Sequence, residues 1–388
     1  CSGRQHSRKA HCAAYGKRTT LSDKRWKNIP RGGFRQSVSS AIVCSSVHTR
    51  ISARTQRIGA AFLGEENAAS LCRAEMQSNA ASEGHLETPI LQYDSGVIAA
   101  KLDRTEKELV HKVSFHISCG ESLTLIGETG SGKTLIAQSV MGVLPGNVKL
   151  VSGEIAFCGN TMPKGKNLRS MLGREIVYIP QNGHEFLDPS RSIRRQMFDS
   201  IAKLGIAAPQ REAFAREKLA QVGFTQPEAI LEQYPFQLSG GMAQRVTIAL
   251  ALCSKAKLLI ADEPTNGLDQ DSKQQTMSLL NELFPDAAKL IITHDISVAA
   301  TCDRILVLCG GRMLETGISS EVLTAPHHPY TKALLGALVE NGMRETPALR
   351  TGTGFCPFYR RCPSARERCR TEMPPRKNNG REWWCCAE

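Results

Sequence analysis

The chain has 388 residues, of which 41% are hydrophobic and 22% charged, and its formal net charge is +12. This composition is typical of a folded protein with a sizeable core and argues against a mainly disordered chain. No apolar run approaches the roughly 20 residues that cross a bilayer, so we expect a soluble chain or one held at a membrane by a partner.

The positive charge lies at the two ends of the chain. Residues 1–90 hold 14 Lys and Arg against six Asp and Glu, and residues 343–388 hold ten against five. The middle of the chain is therefore close to neutral. The basic charge is poor support for nucleic-acid binding by the core, and we expect no nucleic-acid partner.

Residues 1–88 are rich in Ser, Arg, Ala and Gly and show no sustained helical or strand period. An acid-poor start rich in Arg and Ser can be an organellar transit peptide, but the chain begins at Cys1, and the apolar run at 41–44 is too short for a signal-peptide core. The favoured interpretation is a basic, disordered leader, or a stretch translated upstream of the true start, without an assigned function.

From residue 89 onwards the hydrophobic pattern becomes regular. Short apolar or alternating runs predict strands at 89–93 and 95–100 (one strand or a hairpin), 112–117, 123–126, 153–157, 176–180, 258–261, 290–293 and 305–308. Helical patterns cover 135–141, 193–204, 211–222, 227–233 and 246–253. The continuous apolar runs at 258–261 and 290–293 are typical of buried parallel strands, and the helices near 192–246 predict a helical subdomain between strands.

One loop joins the predicted strand at 123–126 to the predicted helix at 135–141, and it consists of Gly127-Glu128-Thr129-Gly130-Ser131-Gly132-Lys133-Thr134. A strand, the pattern G-x-x-x-x-G-K-[ST] and a helix together predict a phosphate-binding loop, although a glycine-rich turn can match the pattern by chance. Its glycines let backbone N–H groups surround a phosphate, and the helix adds the positive end of its dipole. Lys133 is suited to the β- and γ-phosphates, and the Thr134 hydroxyl to Mg²⁺.

Further polar residues follow predicted strands downstream. Asp262 and Glu263 end the apolar run at 258–261, where the first carboxylate is suited to Mg²⁺ and the second to polarising an attacking water. Gln181 follows 176–180, where its amide could reach both Mg²⁺ and the γ-phosphate, and His294 follows 290–293. Alone, each would be interpreted as an ordinary solvated or structural strand end.

A second candidate anion site lies at Ser239-Gly240-Gly241, at the start of a predicted helix and without a lysine. One chain has no obvious need for two phosphate-binding surfaces. Two chains have that need if each lends this surface to the nucleotide of the other.

This order of motifs resembles that of the ATP-binding-cassette (ABC) ATPases over about residues 89–315. The resemblance implies a P-loop, RecA-like α/β domain with an antiparallel β-subdomain near 89–120, a helical subdomain near 187–246 and a head-to-tail dimer of two ABC ATPases. It also assigns the motif roles: Walker A to 127–134, the Q-loop glutamine to Gln181, the signature to 239–241, Walker B to Asp262 and Glu263, the D-loop to 267–269 and the switch histidine to His294. ATP and Mg²⁺ are the implied cofactors. Glu263, His294 and Gln181 are the implied catalytic residues.

Two departures from the family pattern stand out. The aromatic residue that stacks on adenine is expected near 100–103, where this chain has none, and Tyr93 lies too early in the chain. In addition, Gly267 occupies a D-loop position at which Ala is usual.

The stretch at 321–335, including His327-His328-Pro329-Tyr330, resembles the C-terminal segment of the ATPases of oligopeptide, dipeptide and nickel importers. It could also be no more than a helix–turn–helix edge of the domain. The resemblance implies a peripheral ATPase at the cytoplasmic face of the inner or plasma membrane. Its partners would be a second ATPase, which can be a paralogue, two membrane permeases and an extracytoplasmic substrate-binding protein.

The segment 316–388 is predicted to be a C-terminal extension with a cysteine cluster. Cys356, Cys362, Cys369 and Cys385 (or Cys386) could ligate an iron–sulfur cluster or Zn²⁺, and the absence of paired C-x₂-C spacings favours the cluster. The tail resembles the cysteine-bearing C-terminal domain of some peptide-importer ATPases, and this domain can hold a four-iron–four-sulfur cluster. The alternative is that these are free, buried cysteines.

Two other functions remain open from the sequence. One is a soluble ABC ATPase of DNA repair or translation, which usually carries tandem cassettes or long inserts that this chain lacks. The other is a regulatory ATPase whose tail senses iron or redox state, and this role is compatible with transport.

Overall fold

The computed structural model describes residues 88–102 and 105–386. The predicted disordered leader at 1–88 falls outside these ranges, except for Thr88. Within the two ranges, no helix is both long and apolar enough to cross a membrane.

An antiparallel sheet of four strands forms the first layer of the described chain, in the order β2-β1-β4-β5. Its strands are β1 Leu91–Leu102, β2 Thr105–Ile117, β4 Val148–Phe157 and β5 Asn160–Thr161. The two predicted runs at 89–93 and 95–100 belong to one strand, β1. This strand is irregular at Ser95, which has a positive φ of 48° and lies where the pairing register with β2 shifts. Tyr93 is fully buried and stacks on Phe115 with ring centroids 5.1 Å apart, so it belongs to the core.

A mixed sheet of eight described strands forms the centre of the fold, in the order β11-β12-β10-β9-β3-β8-β7-β6. Its strands are β3 Ser122–Ile126, β6 Ile176–Ile179, β7 Leu258–Asp262, β8 Ala288–Thr293, β9 Arg304–Cys309, β10 Arg312–Ile318, β11 Pro375–Asn378 and β12 Arg381–Trp384. The strands β9, β3, β8, β7 and β6 pair in parallel. Their side chains are almost entirely buried, as the continuous apolar runs predict.

Helices cover this sheet and form a separate helical layer. They are α1 Lys133–Met141, α2 Lys166–Met171, α3 Gly183–Phe186, α4 Ile193–Ala202, α5 Ala208–Gln221, α6 Pro227–Glu232, α7 Gly240–Leu252, α8 Gln270–Leu283, α9 Ile296–Ala299, α10 Ser319–Thr324 and α11 Pro329–Gly336. Apolar side chains of α4 to α7 share one core with β6 and β7, which ties the helical subdomain to the edge of the sheet. The predicted P-loop α/β fold with antiparallel and helical subdomains is confirmed.

The C-terminal tail joins the central sheet, because β12 pairs with β10 in antiparallel fashion. A buried ion pair fastens this junction: Arg381 donates to Glu315 Oε1 at 2.9 Å and to the carbonyl of Ala325 at 2.7 Å. The Glu315 carboxylate is fully buried and also accepts from the backbone N–H groups of His327 and His328. Three donors thus compensate the desolvation of one carboxylate.

We expect Arg381→Met to lower the free energy of unfolding by about 3–5 kcal/mol, because it leaves the Glu315 charge buried without its cation. Lys377→Met is the matched control, since it breaks the exposed Lys377–Glu382 pair of the same hairpin and should cost at most about 1 kcal/mol. Urea unfolding of both variants measures the difference. Equal losses in the two variants would contradict a structural role for the buried pair.

Candidate functional site

The loop 127–132 leaves β3 and enters α1 through backbone that requires glycine at two positions. A Cβ atom on Gly127 would lie 2.0 Å from the carbonyl oxygen of Leu308, and one on Gly132 would lie 2.8 Å from a methyl carbon of Val110. Gly132 also has a φ of 98°. Close packing against the neighbouring strands, together with this conformation, explains why a side chain cannot be accommodated at either position.

Lys133 begins α1 and folds back onto the loop. Its Nζ donates to the carbonyl oxygen of Gly127 at 2.7 Å and to that of Glu128 at 3.2 Å. Burial lowers the pKa of Lys133, whereas the carboxylates of Glu263, Asp262 and Glu128 raise it. A buried cation at the start of a helix is well placed to receive a phosphate.

The predicted magnesium ligands Thr134 and Asp262 lie together. The Thr134 side chain is close enough to the Asp262 carboxylate to lower the pKa of that group, and Asp262 is buried at the end of β7. Burial raises the pKa of Asp262, and the hydrogen bonds from Thr134 and Tyr178 oppose that rise. The Tyr178 hydroxyl lies 3.4 Å from Asp262 Oδ2, a contact that the apolar pattern of β6 did not reveal.

Glu263 and His294, which follow neighbouring strands, are in direct contact. Oε1 of Glu263 lies 2.7 Å from Nδ1 of His294, and Oε2 accepts from the Thr293 hydroxyl at 3.1 Å. The Glu263 side chain is 13% exposed and that of His294 is 62% exposed. Glu263 also has a positive φ of 48°, a conformation that is uncommon for a residue with a side chain.

Gln181 and the 239–241 stretch face solvent. Gln181 is exposed directly after β6, beyond Pro180. Ser239 caps α7 by accepting from the N–H of Met242, while Gly240 and Gly241 are exposed with open space beyond them. In the part of the chain that the structure describes, no hydrogen bond joins Gln181 or residues 239–241 to the phosphate-binding loop.

Gln244 is a site neighbour that the sequence did not single out. It is buried in α7, and its Nε2 donates at 3.3 Å to the carbonyl oxygens of both Pro180 and Pro264. These carbonyls precede Gln181 and follow Glu263, respectively. One amide therefore connects α7 to two strand ends of the candidate site.

The C-terminal region also reaches the phosphate-binding loop. The Tyr330 hydroxyl accepts from the N–H of Glu128 at 3.0 Å. Arg361 donates to both carboxylate oxygens of Glu128, at 2.7 and 2.9 Å. No local sequence signal could have indicated these contacts, because the partners lie 202 and 233 positions apart.

The predicted tail ligands Cys356, Cys362, Cys369 and Cys385 are all buried, as is Cys386. No disulfide joins any of the cysteines that the structure describes. Over the same ranges, no group of three or more His, Cys, Asp or Glu side chains is arranged to hold a metal ion. Cys369 accepts from the backbone N–H of Arg366, and Cys386 donates to the carbonyl oxygen of Glu372.

Comparison with known proteins agrees with this geometry. The ABC transporter family model matches residues 110–266, and the model of the oligopeptide/dipeptide transporter C-terminal region matches residues 314–369. The dipeptide transport ATP-binding protein DppD of Escherichia coli is 36% identical over 280 residues, which cover 68% of this chain and 86% of DppD. The metal-staphylopine import system ATP-binding protein CntD of Staphylococcus aureus is 37% identical over 237 residues, covering 60% of this chain and 87% of CntD.

A solved structure shares the fold. The chain resembles cbiO1 of Clostridium perfringens, described as part of the ABC transporter complex cbiONQ, with a TM-score of 0.53 and 26% identity. The similarity covers 62% of this chain and 92% of cbiO1. The sequence relatives, the matched family models and the fold agree that the chain belongs to the ABC transporter ATPases, in the family that includes the dipeptide and oligopeptide transport ATP-binding proteins.

Proposed function

We propose that the chain is the ATP-hydrolysing subunit of an importer and that it powers the uptake of peptides through partner permeases. The match of residues 314–369 to the oligopeptide/dipeptide transporter C-terminal region is the observation that carries this proposal. The identity to DppD supports a dipeptide as cargo, whereas the identity to CntD supports a metal chelate. Uptake of nickel is a further form of this second alternative, in which the cargo contains a metal.

The proposed site binds ATP through the loop 127–134. The N–H groups of the loop and of the start of α1 receive the β- and γ-phosphates, and Lys133 exchanges its carbonyl partners for phosphate oxygens. Thr134 and Asp262 offer the hard oxygen donors that Mg²⁺ prefers, with Gln181 as a further ligand, so these residues fit the ion. Bound Mg²⁺ neutralises charge on the phosphates.

Glu263 is proposed to accept a proton from the attacking water. Its carboxylate is mostly buried and is oriented by the Thr293 hydroxyl and by His294. His294 is exposed enough to reach a γ-phosphate. Because Ser239, Gly240 and Gly241 are solvent-exposed, we propose that they complete the nucleotide site of a second ATPase and that the two chains form a head-to-tail dimer.

The proposed location is the cytoplasmic face of the inner or plasma membrane, where the chain would bind two permeases. An extracytoplasmic protein would supply the substrate. A soluble role in DNA repair or translation lacks a comparable supporting observation, since the C-terminal match is to a transporter region.

The tail is proposed to ligate an iron–sulfur cluster or Zn²⁺ through Cys356, Cys362, Cys369 and Cys385. Cysteine thiolates are the usual ligands of both groups, so the residue types fit a thiophilic metal. Their present arrangement does not fit a closed site, because the described residues form no ready metal-binding group. Metal binding therefore requires these side chains to move, and a sensing role for the tail depends on such binding.

Glu263→Gln should retain MgATP binding but lose at least about 100-fold in turnover, because the amide cannot accept the proton. Steady-state ATPase assays and equilibrium nucleotide binding measure the two effects separately. Glu282→Gln, which changes an exposed carboxylate on α8, is the matched control and should match the wild type. Lys133→Ala should weaken ATP binding itself. Normal turnover by Glu263→Gln in the presence of its ATPase partner would rule out this base.

Purification of the chain from its native membranes should yield two multispanning membrane proteins, identified by mass spectrometry. When the chain is reconstituted with these membrane proteins and a substrate-binding protein, addition of dipeptides should increase the rate of ATP hydrolysis. If only a metal chelate increases the rate of ATP hydrolysis, the cargo is the chelate and not a dipeptide. Recovery with ribosomes or repair complexes and without permeases would contradict the transport role.

Anaerobically purified protein should contain iron and inorganic sulfide, or zinc, and lose it when Cys356 and Cys369 are replaced by Ser. Elemental analysis and visible absorption provide the measurement. Cys253→Ser is the control, because Cys253 is buried in a different core. A colourless preparation without iron or zinc contradicts the proposed tail site.

A further inference from the structure

Glu128, the second residue of the phosphate-binding loop, is held by two residues from the C-terminal part of the chain. The Tyr330 hydroxyl accepts a hydrogen bond from the backbone N–H of Glu128 at 3.0 Å. Two nitrogens of Arg361 donate to the Glu128 carboxylate, at 2.7 and 2.9 Å. Two parallel N–H···O bonds fix a carboxylate in both position and orientation. Backbone and side chain of this loop residue are therefore both restrained.

Arg361 is itself held in place. Its guanidinium lies over the ring of Phe358, 5.2 Å from the centroid. Phe358 is 1% exposed and packs edge-on against the Tyr330 ring at 5.4 Å. The Arg–carboxylate pair thus extends from a packed aromatic cluster and is not a chance meeting of two mobile surface chains.

The tail segment that carries Arg361 also packs against the turn between β9 and β10. A Cβ atom on Gly310 would lie 2.8 Å from Cβ of Pro357, so the proline ring packs closely against the backbone of this turn. The adjoining core includes Ile126, the last residue before the phosphate-binding loop, together with Tyr330 and Phe358. The tail and the loop therefore share one packed unit.

The charge of Glu128 matters because ATP is highly anionic. Without a cation beside it, this carboxylate adds a negative charge to the loop that has to receive the phosphates. Glu128 already acts electrostatically on Lys133, since it raises the pKa of that residue. Arg361 cancels this charge while leaving Lys133 available for phosphate.

We propose that Arg361 is a positioning residue of the nucleotide site: it neutralises Glu128 and, together with Tyr330, holds the loop in its phosphate-binding shape. The proposal rests on ATP binding at 127–134. ATP affinity then depends on the contact between the C-terminal tail and the phosphate-binding loop. By thermodynamic linkage, bound ATP stabilises the same contact.

The test is MgATP binding by the full chain, measured by calorimetry. Arg361→Met keeps a side chain that can cover Phe358 but leaves Glu128 uncompensated. We expect Arg361→Met to weaken MgATP binding roughly 5- to 30-fold. The difference in affinity from the wild type should become smaller as the salt concentration is raised. Arg360→Met removes an equal charge from the exposed neighbouring position and should leave the affinity unchanged.

The double variant Arg361→Met/Glu128→Gln separates charge from structure. If Arg361 acts by neutralising Glu128, the double variant binds MgATP more tightly than Arg361→Met alone. Arg361→Lys, which retains the charge, should recover part of the affinity and remains informative if Arg361→Met does not fold. Wild-type affinity in Arg361→Met, or a double variant no tighter than the single one, overturns the proposal. Absence of MgATP binding by the wild-type chain would instead refute the proposed function.

Discussion

Parallel pairing of β3, β8, β7 and β6 is the constraint on which the candidate site depends. In this register Ile126 lies opposite Thr293, Ile292 opposite Asp262, and Ala261 opposite Ile179. The residues that follow these positions must meet at one edge of the sheet, because parallel strands end on the same side. The phosphate-binding loop, Glu263 and His294 are therefore close in space although they are far apart in sequence.

Around that edge, contacts from distant parts of the chain fix the strand ends. Gln244 of α7 reaches the backbone beside Gln181 and Glu263, so the helix that begins at the proposed dimer surface is joined to two strand ends of the candidate site. The C-terminal tail does the same for the loop through Tyr330 and Arg361. The extension thereby contributes to the site as well as to the sheet edge.

Residues with local signals were predictable, whereas long-range partners were not. The glycine pattern with Lys133 and Thr134, and the apolar strand before Asp262 and Glu263, carry their chemistry in a few consecutive positions. Gln244 is one of three polar side chains in the largely apolar helix α7, and only the fold reveals the carbonyl oxygens to which it donates. The pattern did not predict β11, whose sequence Pro-Arg-Lys-Asn lacks alternation, or β12, which has only four residues. The two strands join the sheet where β12 pairs with β10, beside the buried Arg381–Glu315 ion pair. The same limit applies to Glu128 and Arg361.

The central claim is that each chain carries half of a nucleotide site at 127–134 and lends the other half, at 239–241, to a second ATPase. The most direct measurement is an experimental structure of the assembled transporter that carries Glu263→Gln, determined with MgATP. The account predicts that Ser239 of this chain lies within hydrogen-bond distance of the γ-phosphate bound by the partner ATPase. A closed, nucleotide-loaded complex in which Ser239 still faces solvent would contradict it.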